Sequence, residues 1–136
     1  MPAADIGDEA TAQREITGED IEAYAELTGD DNPLHTDEEY AAEGFFEGVV
    51  AHGMFGAGVI SAALAKLPGD IIYLSQDLDF EAPVRPGDTV RARAQVVEKL
   101  GGERVKAVTV ADVEDDEGEK TVITGSAVVL SVLRDT

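Results

Sequence analysis

The sequence contains no cysteine, which removes disulfides, thiolate zinc sites and cysteine nucleophiles at once. Basic residues are scarce. Lysine occurs 4 times in 136 residues, and Lys and Arg together number 10 against 29 Asp and Glu, a formal charge of −19. Nucleic acid is therefore not an expected partner, because such interfaces neutralise phosphates with Lys and Arg. Long apolar runs are missing too. The least polar stretch, Val49 to Ala65, contains His52 and glycines at 53, 56 and 58. It falls short of the about 20 residues that a membrane span needs, so no membrane insertion is expected. Met1 to Gly7 has neither the basic nor the apolar region of a signal peptide, which makes a cytoplasmic location the expectation.

What is present suits one packed domain spanning 1–136, a length at which a chain buries roughly two-thirds of its unfolded surface without a staple. The apolar share, 43%, argues against global disorder. Acids scattered along the chain repel one another in dilute salt. Molar salt shortens the Debye length to about 3 Å and removes most of that penalty. The acid excess thus suggests a soluble protein of an extreme halophile, the alternative being an ordinary acidic cytosolic protein.

Residues 1–11 read as a loose, polar N-terminal arm. Thr17-Gly18-Glu19-Asp20 is a capping-box variant, with Ile16 and Ile21 placed as a hydrophobic staple. It predicts a short helix to about Leu27, stopped by Gly29. Pro33 biases Asn32 away from helical geometry and makes 28–35 a loop. Thr36-Asp37-Glu38-Glu39 opens another short helix over roughly 37–42. Val50 to Lys66 is apolar nearly all round, which predicts a central helix surrounded by protein and ended by Pro68-Gly69. The period then changes to two. Strands are expected at about 71–80, 89–100, 103–114 and 120–133, joined by Pro83 to Asp88, Gly101-Gly102 and an acidic turn around Asp115 to Gly118. Short turns between consecutive strands imply an antiparallel meander. The fold class is α+β, an antiparallel sheet around one long helix.

The segment Tyr24 to His35 carries the chemistry. Asp30 and His35 lie five positions apart across an Asn-Pro turn. The Pro33 bend can bring them around one small ligand such as a water. That arrangement suits general acid–base chemistry on an activated alkene. Asp30, Asp31 and His35 are equally open to a reading as plain turn residues.

The string Leu27-Thr-Gly-Asp-Asp-Asn-Pro-Leu-His35 resembles the G-D-x-N-P-x-H signature of the MaoC-like dehydratases, in particular the (R)-specific enoyl-CoA hydratases. The likeness continues through Ala51-His52-Gly53-Met54, Tyr73-Leu-Ser-Gln76 and Phe80-Glu-Ala-Pro-Val-Arg-Pro-Gly-Asp88. The resemblance implies a hot-dog fold and a homodimer with its sheets side by side and active sites near the interface. Asp30 and His35 fall on the family's catalytic positions, and Asn32 and Pro33 on its Asn and Pro. The implied activity is reversible addition of water to a trans-2-enoyl-CoA giving an (R)-3-hydroxyacyl-CoA, in β-oxidation or in supplying polyhydroxyalkanoate monomers. Asn32 is a candidate substrate contact. The Gly53 backbone N–H, where the central helix begins, is the candidate oxyanion donor, favoured both by the resemblance and by the helix dipole. A 3-hydroxyacyl-acyl-carrier-protein dehydratase of the same fold and a non-catalytic acyl-binding domain are the alternatives. No cofactor and no metal is expected.

His52 admits two readings, a second acid–base group or, preferably, a structural histidine capping the helix start. Arg85, Arg91, Arg93 and Lys66 could meet CoA phosphates or be ordinary surface charges. Asp112 to Glu119 does not match an EF-hand loop and reads as a solvated turn. Ser61 and Ser75 lack a nucleophile-elbow context.

Overall fold

The structure is a computed structural model that describes residues 1–115 and 118–134. The expected acidic turn around Asp115 to Gly118 includes residues 116 and 117, which lie outside the described residues. The elements are β1 (Glu9–Glu15), α1 (Gly18–Thr28), α2 (Pro33–Thr36), α3 (Glu38–Ala42), α4 (Gly53–Leu64), β2 (Asp70–Phe80), β3 (Thr89–Gly101), β4 (Arg104–Asp115) and β5 (Gly118–Val132).

The strands form one antiparallel sheet in the order β1-β3-β4-β5-β2. Its inner face carries Val90, Ala92, Ala94 and Val96 of β3 and Val105, Ala107, Thr109, Ala111 and Val113 of β4, all buried. Helix α4 packs against that face with Val59, Ile60, Ala63 and Leu64. Small residues on both partners let the helix approach closely. At Gly56 an added Cβ would sit 2.8 Å from the Ile123 Cδ1 atom. This is the hot-dog arrangement expected from the resemblance, an antiparallel sheet with one central helix.

Four strands fall within two residues of their expected ends. At α1 the capping box is formed as read: the Thr17 side chain accepts from the Asp20 N–H, and Asp20 accepts from the Thr17 N–H. Ile16 and Ile21 are both 1% exposed. Gly29 closes the helix at φ 82°, its N–H donating to the Ala25 carbonyl. In α3 the cap is Asp37, which accepts from the Tyr40 N–H, so the helix is capped one residue later than the Thr36 box implies.

Four expectations are corrected. Residues 1–11 are not a loose arm, because Glu9–Glu15 pairs with β3, the Gly7 N–H donates to Val96, and Ala4 is fully buried. The loop 28–35 contains a single helical turn, Pro33–Thr36, with Pro at its first position. The central helix starts at Gly53, not Val50. His52 has ψ 134°, outside the helical range, and the Ala51 N–H is engaged by the Val84 carbonyl at 2.7 Å. Finally, β2 does not pair with β3. The Pro83–Asp88 connection passes the start of α4, where Val84 is buried and bonded to Ala51, and β2 joins the far edge beside β5. Only β3, β4 and β5 form the meander.

Candidate active site

The site lies where the 29–35 loop meets the start of α4. An Asp30 carboxylate oxygen and one nitrogen each of His35 and His52 all lie within 4.8 Å of one another. The sequence separation of 22 residues between Asp30 and His52 is closed by the fold, which lays 50–52 alongside the loop. The His35 Nδ1 is 2.7 Å from the Val50 carbonyl, and the His52 Nε2 is 2.8 Å from the Asp30 carbonyl. A carbonyl only accepts, so each of those nitrogens carries its hydrogen. That leaves the His35 Nε2 as the nitrogen available to a ligand.

Asp30, His35, His52 and Gly53 share a cavity with Tyr24, Thr28, Met54 and Phe80. A second cavity of about 390 Å³ continues from His35, His52, Gly53 and Phe80 between Leu34, Phe46, Val50, Val84 and Ile123. Polar groups thus stand at the mouth of an apolar recess, an arrangement suited to an apolar ligand with one reactive polar end. Gly53 is the first residue of α4, so its N–H has no acceptor within the helix and lies at the positive end of the dipole. No larger residue fits there without movement: a Cβ would stand 2.8 Å from Cε1 of the Phe80 ring.

Asp30, His35 and Gly53 are therefore brought together. Asn32 is not. It is exposed, lines neither cavity, and its side chain makes no capping bond, while its carbonyl accepts the His35 N–H at 3.0 Å. Asp31 is exposed beside it. His52 is 3% exposed and stacks on His35 with centroids 3.9 Å apart and planes at 27°. It occupies the cap position of α4 without making a side-chain capping bond. Phe80 went unassigned, because its contact with Gly53 is made only by the fold.

The proposed phosphate contacts are mostly engaged elsewhere. The Arg85 guanidinium donates to the Phe46 carbonyl at 2.6 Å, and Arg91 pairs with Glu114 and Glu119. Arg93 lies 3.8 Å from Glu9, and Lys66 is exposed just past the end of α4, near β1. Asp30, His35 and His52 have donor types that a divalent cation accepts. Yet the His52 Nε2 is held by the Asp30 carbonyl and its Nδ1 is buried, which leaves the Asp30 carboxylate and the His35 Nε2 to meet an ion, fewer ligands than a zinc site uses.

Comparison with known proteins gives a consistent picture. A model of the MaoC like domain matches residues 3–118. The (R)-specific enoyl-CoA hydratase of Rhodospirillum rubrum is 42% identical over 123 residues, 86% of this chain and 85% of that protein. The 3-hydroxybutyryl-CoA dehydratase of Methylorubrum extorquens is 38% identical over 128 residues, 92% and 79% of the two chains. The unliganded R-hydratase PhaJ1 of Pseudomonas aeruginosa superposes with a TM-score of 0.85 at 34% identity, covering 98% of this chain and 88% of that one. The chain belongs to the MaoC-like domain family.

Proposed function

We propose that this protein is an (R)-specific enoyl-CoA hydratase, a hydro-lyase that adds water reversibly to trans-2-enoyl-CoA. The observation that carries the reading is the meeting of Asp30, His35 and the Gly53 N–H at the mouth of an apolar recess. Asp30 and His35 hold one water between them. The water oxygen bonds to C3 as a proton leaves it for one member of the pair, and the other member delivers a proton to C2. The electron pair of the alkene passes through the thioester carbonyl, whose oxygen gains charge in the transition state. The Gly53 N–H donates to that oxygen, and such a donor contributes about 3–4 kcal/mol when removal is the measure.

The charge of −19 disfavours docking to an acidic carrier protein, an objection that screening in high salt weakens. It also supports a salt-rich cytoplasm as the working environment. Edge strand β2 carries Ile72, Tyr73, Leu74 and Phe80, all at least 41% exposed, beside the exposed Met54 of α4. Such an apolar edge supports a homodimer joined there, with Phe80 linking the interface to the site. The test is hydration of crotonyl-CoA in molar KCl with the product's stereochemistry determined. The (R)-3-hydroxy product is expected; an (S) product or no turnover overturns the reading.

A further inference from the structure

The two parts of this site stand on different elements. The 29–35 loop supplies Asp30 and His35, and the start of α4 supplies the Gly53 N–H. A reaction that uses both needs them held at a fixed separation, within about 0.5 Å for a productive geometry. The loop's own bonds do not achieve this. Gly29 donates to Ala25, Asp30 to the Thr28 hydroxyl, Asp31 to Gly29 and His35 to Asn32, every one of them local.

Two short bonds cross from the loop to the segment before α4, and both come from histidines. His35, on the loop, donates from Nδ1 to Val50 of the segment at 2.7 Å. His52, on the segment, donates from Nε2 to Asp30 of the loop at 2.8 Å. The third crossing, from the Val50 N–H to Leu34, is long at 3.5 Å. The two rings then stack on one another, and ring contacts continue from His52 to Tyr24 and from Tyr24 to Phe55 inside α4.

We propose that His52 is a positioning residue of the hydratase site, forming with His35 a reciprocal clasp that sets the acid–base loop against the Gly53 N–H. The proposal rests on the hydratase reading above and adds a residue to it. His52 acts through its neighbours, because neither of its ring nitrogens is free to meet a ligand. Its Nε2 is committed to the Asp30 carbonyl, and its Nδ1 is buried without a partner among the described residues. The Asp30 carbonyl only accepts, so it is the Nε2 that carries the hydrogen of this bond. The clasp also explains why the loop needs no helix of its own beyond one turn. Its anchor is the carbonyl of the very residue whose carboxylate must be placed.

The experiment compares wild type with His52→Ala, His52→Gln and His52→Phe in steady-state crotonyl-CoA hydration, with melting temperatures recorded for each. Gln keeps an N–H near the Nε2 position; Phe keeps a ring and loses the donor. A misplacement of about 1 Å lowers turnover by about 10²-fold, so His52→Ala should lose about that much kcat while KM moves less than about threefold. His52→Gln should return to within about tenfold of wild type, and His52→Phe should stay near His52→Ala. Equal losses in the Gln and Ala variants, a rise in KM at unchanged kcat, or no loss at all overturn the proposal. Should the Ala variant not fold, the Gln and Phe variants decide by the same criteria. Imidazole ¹H–¹⁵N correlation spectra of the wild type give a reading independent of activity. Hydrogen on Nε2 of His52 and on Nδ1 of His35 supports the clasp, and any other tautomer pair overturns it. Wild-type protein that folds without hydrating crotonyl-CoA overturns the function instead, and the spectra still judge the clasp.

Discussion

Replacing Asp30 with Asn keeps the side chain's shape and removes its charge and basicity; His35→Gln likewise removes the titratable ring. If the two share one water, each change should lower kcat by roughly 10²–10⁴-fold, the usual worth of a positioned acid–base group. The double variant should be little worse than the poorer single, because groups acting as one unit are strongly non-additive. Asp31→Asn, exposed and outside both cavities, should be near silent in the same crotonyl-CoA assay. Full activity in Asp30→Asn would return the loop to a structural turn. Gly53 offers a second residue-scale expectation. A methyl there meets the Phe80 ring at 2.8 Å, so either the ring or the start of α4 shifts. Gly53→Ala should lower kcat by about 10²-fold through misplaced N–H geometry, and Phe80→Leu in the same chain should restore part of it. Recovery that is absent would mean the ring is not what Gly53 accommodates. At this scale Asp30, His35 and Gly53 were legible because a turn chemistry and a helix start mark them locally. Asn32 has a type that fits a binding role, yet it lines neither cavity.

Among the elements, α1 shows what a local signal can specify. Thr17, Asp20, Ile16 and Gly29 are within one helix length of each other, and each does in the fold what its type and spacing indicate. The Asp20 carboxyl is held below its usual 3.8, chiefly by the Thr17 backbone N–H and then by the Arg14 guanidinium. A carboxyl whose folded pKa is lowered contributes stability above the unfolded value and loses it as pH falls through the folded one. The stability difference between wild type and Asp20→Asn should therefore be present at pH 7 and shrink below about pH 4. Urea midpoints at both pH values check this, and a difference that does not narrow removes the role assigned to the cap. Strand β1 escaped notice because Glu-Ala-Thr-Ala-Gln-Arg-Glu has a single β-branched residue and buries only small side chains. Its partner, β3, makes it a strand. The first residues of the expected central helix were taken out of it by Val84, whose carbonyl captures the Ala51 N–H. Apolar periodicity had no means of showing that contact.

For the molecule as a whole, 29 acids against 10 bases predict that melting temperature and activity rise from low to molar KCl. A flat or falling melting temperature removes the halophilic reading. The exposed apolar residues of β2 and Met54 predict a dimer in sedimentation at high salt, and a fully active monomer removes the shared interface. Ile72→Glu or Leu74→Glu on that edge should shift the population toward monomer. The amino-acid sequence by itself determined the class of fold, four of the five strands, the caps of α1 and the two loop residues, Asp30 and His35, that the structure brings together. All of these depend on neighbours within a turn or a hairpin, where spacing along the chain is spacing in space. Only the tertiary structure decided the rest. Strand β2 went to the far edge because the connection after it spans the start of α4. His52 became the partner of Asp30 because the chain between them, a separation of 22 positions, folds back over the loop. Such contacts arise from packing elements distant in sequence, and no local pattern of residue types encodes them.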